Sequence, residues 1–195
     1  MTKMCSILEQ PNFKLCLASL RIIHKLLKQY AADICKSGED FDTLINVLAK
    51  KLIDNKVVVR HAVLKIFYLL SNRIGCDIYK VFQFCKASDE RTVIEIQRVL
   101  IMSCIVSSSS CNLKQASKLR TLCNLADGSR QQVSDAVIET LSIMISKDPS
   151  CEKAIKRSIS RPTMEKIIQK VDSGNLATLN YEGIVEFPVA MNQTK

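Results

Sequence analysis

The chain has 195 residues, 47% hydrophobic and 24% charged, with 28 Lys and Arg against 19 Asp and Glu for a net charge of +9. That apolar share can offset the entropy of ordering a chain of this length, which excludes a disordered tail. Only 5 Gly and 4 Pro punctuate it, too few corners for many short strands, and no apolar run approaches the roughly 20 residues that span a bilayer.

The first segment, Met1 to Asn12, holds one Lys and no apolar stretch of a secretory signal, so a cytoplasmic protein, or the cytoplasmic portion of a larger one, is expected. In NFKLCLASLRIIHKLLKQY, Cys16, Leu20, Ile23, Leu27 and Tyr30 recur at helical spacing, with Arg21, Lys25 and Lys28 on the opposite side. This predicts an amphipathic helix with a basic outer face. Ser37 and Gly38 break the chain. Phe41, Leu44, Leu48 and Leu52 then repeat the pattern, with Asp40 as the expected cap. A turn at Asp54-Asn55 leads into a helix carrying Val59, Val63, Ile66 and Leu70. Val57 to Val59 would suit a strand, but the helical period continues for well over ten residues, and length decides for a helix.

A short helix over 77–85 is expected next, then a turn at Ala87-Ser88-Asp89-Glu90. A long helix follows with Val93, Ile96, Leu100 and Cys104. Ser107 to Ser110 reads as a polar linker. A helix around 113–125, a turn at Asp127-Gly128-Ser129 and a helix with Val133, Val137, Leu141 and Met144 come after it, stopped by Asp148-Pro149. Pro162 can open one more helix through Ile167 and Val171, and Gly174, Gly183 and Pro188 predict a loop or tail.

Turn signals near Asn12, Asn55, Asp89 and Gly128 thus recur at intervals of 43, 34 and 39 residues. HEAT and armadillo units run to about 40–47 residues. The expectation is an all-α, right-handed α-solenoid of about four antiparallel helix pairs over 1–172, with an irregular C-terminal segment over 173–195. One pair cannot bury its apolar face alone, and stacking completes the core.

Nine cysteines are scattered without a C-x-x-C pair, and His24 and His61 stand at no metal-ligand spacing from them. They read as small buried hydrophobes, Cys16, Cys85 and Cys104 falling on apolar stripes. No glycine-rich phosphate loop, H-E-x-x-H or G-x-S-x-G occurs, so no catalytic site and no cofactor are expected. The positive balance suits an acidic protein surface, nucleic acid or anionic lipid, or simply a solvated face. With aromatics at 5% and no RNP-type string, nucleic acid is the weaker of these.

The stretch around Asn12, Phe13 and Lys14, followed by Leu52, Asp54, Val59 and Arg60, resembles HEAT repeats of the TOG-domain type found in microtubule regulators, over about residues 8–105. In that motif the Asp and Arg usually brace neighbouring repeats. The resemblance implies a non-catalytic module that meets tubulin with the row of turns inside successive helix pairs, and a cytoskeleton-associated location. Its partner-binding residues would be Phe13, Lys14, Lys56, Lys86, Arg91 and Arg130, the basic ones forming a stripe along one edge. The chain has no Trp, whereas TOG domains commonly anchor with a Trp in the first turn. Phe13 is the nearest substitute, or else a core residue. The alternative is a HEAT/armadillo scaffold of a larger regulatory protein, such as a kinase tail or a centrosomal, ciliary or trafficking adaptor. Such a scaffold would hold another protein along the second helices of its pairs.

Overall fold

The structure is a computed structural model that describes residues 2–36, 38–74, 80–83, 89–106, 116–180 and 183–187. Its helices are α1 (Thr2–Leu8), α2 (Phe13–Lys36), α3 (Gly38–Lys51), α4 (Val57–Ile74), α5 (Glu90–Val106), α6 (Ala116–Gly128), α7 (Gln131–Lys147), α8 (Glu152–Lys156) and α9 (Arg161–Ser173). A 3-10 turn at 80–83 occupies the place of the first helix in the third unit. The linker expected at Ser107–Ser110 and the ends of the helix expected over 77–85 lie outside the described residues.

The second helices stack in series: α2 on α4, α4 on α5, α5 on α7, and α7 on α9. The first helices pack alongside, α1 against α3 and α6 against α8. This is the α-solenoid that the periodicity predicts. The apolar stripes that define it form one core: Cys16, Leu20, Ile23 and Leu27; Phe41, Leu44, Leu48 and Leu52; Val59, Val63, Ile66 and Leu70; Val93, Ile96, Leu100 and Cys104; Val133, Val137, Leu141 and Met144. Truncating any one of these Leu or Ile side chains to Ala removes on the order of 2–5 kcal/mol. Buried Gln97 on α5 accepts from the Thr140 hydroxyl on α7 at 2.8 Å, a polar pair satisfied within the core.

Several expectations are corrected. Tyr30 leaves the stripe, because α2 kinks there (φ −124°, ψ 22°) and carries the ring out to 54% exposure. Helix α3 begins at Gly38, so Asp40 lies inside its first turn and is not its cap. A fifth unit exists, α8 with α9. Its first helix is only five residues long, too short to show a period.

The segment after α9, expected as irregular, contains a small antiparallel pair, β1 (Thr178–Leu179) with β2 (Val185–Glu186). It turns at Gly174, whose φ of 65° is the left-handed cap that ends α9. Ala177 and Val185 are buried, and both strands lie against α5. Buried Glu139 of α7 holds this segment by accepting from the Ala177 backbone N–H and from Lys170 Nζ of α9 at 2.7 Å.

Candidate partner-binding edge

The short turns between paired helices are built by caps. Asn12 Oδ1 accepts from the Lys14 N–H at 3.1 Å and starts α2. Asp54 Oδ1 accepts from the Lys56 N–H at 2.9 Å ahead of α4. Asp89 accepts from Thr92 N–H at 3.0 Å and starts α5, and that bond holds its carboxyl below the usual aspartate range. Arg60 closes its own turn, donating to the carbonyl oxygens of Asp54 at 2.7 Å and Asn55 at 3.4 Å. Its charge also reaches Glu95 of α5, in the next unit.

Contacts from turn to turn join the first corner to the second, the third to the fourth, and the fourth to the fifth. Lys56 Nζ stands 5.5 Å above the centroid of the Phe13 ring, joining the second turn to the first. Lys50 pairs with Glu9 at 3.1 Å between the same units. Arg130 reaches back to Glu90 at 3.3 Å, joining the fourth turn to the third. Asp127 accepts from the N–H and hydroxyl of Ser160 at 2.7 and 2.6 Å, joining the fourth to the fifth. Burial works against that carboxylate, yet the hydrogen bonds from Ser160 and Thr163 hold its pKa below the usual range.

Of the residues expected on this edge, Phe13, Lys14, Lys56, Arg91 and Arg130 are all exposed, and Lys86 lies outside the described residues. Phe13 is 42% exposed, so it is not a core residue. Phe13 and Lys56 are brought together. They line an open cleft of about 580 Å³ with Glu9, Pro11, Val47 and Asn55, among others. Lys14 stands beside Phe13 at the start of α2, and Arg91 and Arg130 belong to the third and fourth turns. The edge is not uniformly basic, since Glu90 faces Arg130, Glu9 faces Lys50 and Asp54 faces Lys51. These carboxylates and the exposed Val57 escape a reading that searches turns for Lys and Arg. Adjacency to the turn is the signal that finds them. A larger hollow of about 1010 Å³ lies against α9 at the other end and contains none of the expected residues.

Among the described residues no group of His, Cys, Asp and Glu is placed to hold a metal ion, and no helix is long and apolar enough to cross a membrane. A solved structure of crescerin, which uses a TOG domain array to regulate microtubules in the primary cilium, matches this chain with a TM-score of 0.78 at 20% sequence identity. The match covers 97% of this chain and 80% of that one. The fold is that of a TOG domain. No family model matches the sequence, and no curated protein matches it either. The TOG fold is a HEAT-like repeat, as the Asn-Phe-Lys and Asp-to-Arg turn residues imply, and in this chain it is reached without a Trp.

Proposed function

We propose that this protein is a non-catalytic TOG-like module, formed by residues 1–172, that binds tubulin through its turn edge and acts at microtubules. The observation that carries the reading is the Phe13–Lys56 pair. An exposed aromatic ring projects from one turn, and a cation from the next turn lies 5.5 Å over its face. An aromatic anchor beside a cleft, with charges at its rim, is the usual anatomy of a binding hot spot. Exposed ion pairs link the first turn to the second and the third to the fourth, a weak bias toward one arrangement of the surface. The likeness to crescerin supports the choice of tubulin, whose acidic surface suits Lys14, Lys56 and Arg91.

Purified protein and soluble tubulin, mixed at low and moderate salt, test this by co-elution and fluorescence anisotropy. Phe13→Ala is expected to weaken binding by about 2 kcal/mol, or roughly thirtyfold in Kd. Lys56→Glu is expected to slow association and to reduce the salt dependence. Equal tubulin affinity for wild type and both variants would remove the turn edge as the binding surface.

A further inference from the structure

A second surface lies on the exposed side of the α2–α4 layer, apart from the turn edge. Helix α2 carries five Lys and Arg against one Asp, and α4 carries three with no acidic residue at all. These two helices therefore hold a surplus of seven positive charges, most of the chain's net +9. A merely solvated face usually interleaves both signs, because like charges four residues apart on a helix repel by about 0.2–0.5 kcal/mol. Arg21 and Lys25 are such a pair, both exposed.

Three of these basic residues, Arg21, Lys25 and Lys65, line a groove. Between α2 and α4 runs an open cleft of about 510 Å³, with Arg21, His24 and Lys25 on one wall and His61 and Lys65 on the other. Its floor includes Leu17, Leu20 and Ala62, with the half-exposed Val58 at its side. No carboxylate and no Phe, Tyr or Trp is among its lining residues. From Leu17 to Lys25 the groove runs for about 12 Å, enough for about four residues of extended peptide.

The chain itself shows how this layer holds a peptide. Val58, His61, Lys65 and Tyr68 share one face of α4 at spacings of three and four. Where that face reaches Tyr68, the C-terminal segment lies on it: Gly183 (φ 77°) packs so closely that an added Cβ would fall 2.6 Å from the Tyr68 ring. On α5, Arg98 donates to the Val185 carbonyl oxygen at 2.9 Å, and its guanidinium stacks 4.5 Å from the centroid of Phe187. The second helices thus already bind an extended segment through a cation, a backbone carbonyl and an apolar contact. The α2–α4 groove continues the same layer toward the N-terminus, and none of the described C-terminal residues lines it.

We propose that the α2–α4 groove is a docking site for an acidic peptide segment of a partner protein, with Arg21 and Lys25 meeting its carboxylates and the apolar floor taking intervening side chains. Charge complementarity and continuity with the bed of the C-terminal segment support this occupant. No Phe, Tyr or Trp offers bases a broad stacking platform among the lining residues, and a cleft between two helices is unsuited to the plane of a membrane.

The test uses the full chain and three probes: a fluorescein-labelled peptide of about twelve residues alternating Glu with Leu, a labelled single-stranded oligonucleotide of equal charge, and vesicles containing phosphatidylserine. Peptide binding is expected, weakening as salt rises. The doubly substituted variant R21E/K25E is expected to lose roughly tenfold or more in peptide affinity, and Val58→Asp to weaken binding as well, both with wild-type circular dichroism. Phe13→Ala on the turn edge is expected to leave peptide affinity unchanged. The proposal is overturned if the peptide does not bind, or if R21E/K25E and Val58→Asp bind it as wild type does. It is equally overturned if oligonucleotide or vesicles bind more tightly than the peptide with the same sensitivity to R21E/K25E.

Discussion

Individual side chains report on how this fold treats charge. Burial, and then the charges of Lys28 and Lys65, hold the His24 imidazole below its ordinary 6.5. A base whose pKa falls on folding binds fewer protons in the folded state than in the unfolded one, so its favourable contribution is present above about 6.5 and is lost as pH drops through the folded value. Urea denaturation of the wild type is therefore expected to show stability falling as pH drops below about 6.5, and His24→Gln a shallower fall. Parallel pH profiles for the two proteins would contradict this. The thiols behave as hydrophobes. Burial, followed by the charge of Asp127, pushes Cys123 up to about 11, and burial likewise raises Cys16. Neither is expected to react with a disulfide reagent at about pH 8 until the chain is unfolded, which mass spectrometry of the labelled protein can read. Rapid labelling of Cys123 in folded protein would contradict its placement in the core.

At the scale of elements, the long helices were legible and the short devices were not. Stripes such as Val59, Val63, Ile66 and Leu70 span several turns, so their period shows in one dimension, and all four are fully buried. The five residues of α8 offer no period, and the β1–β2 pair is two residues per strand. The C-terminal segment owes its place to contacts far away in sequence, at Tyr68, Arg98 and Glu139. Gly183→Ala brings a Cβ against the Tyr68 ring at a backbone angle favouring glycine, and is expected to cost about 1–3 kcal/mol. Hydrogen exchange should then rise over 177–187 and α5, and unchanged protection there would count against the packing described. The junction of the last two units rests partly on Asp127. Asp127→Ala removes the acceptor for two Ser160 hydrogen bonds, at an expected cost of about 1 kcal/mol given its exposure. A lowered urea midpoint with unchanged slope is the result anticipated.

Across the whole molecule, stacking converts local turns into an edge and paired helices into a layer. The candidate residues were visible in the sequence because caps and turns carry local signatures, as with Asn12 and Asp54. Their neutralising partners were not. Glu90 finds Arg130 and Lys50 finds Glu9 only once successive units are in register, and sequence spacing does not encode that register. The result is an edge of paired charges around one exposed ring, beside a separate layer where positive charge accumulates. Each surface has its own probe, and tubulin is that of the turn edge. The most direct measurement is the affinity of the full chain for soluble tubulin at low salt, compared with Phe13→Ala. Wild type is expected to bind and the variant to lose roughly thirtyfold in affinity, with both proteins equally folded. No binding of wild type to tubulin even at low salt, or identical binding by the two proteins, would contradict it.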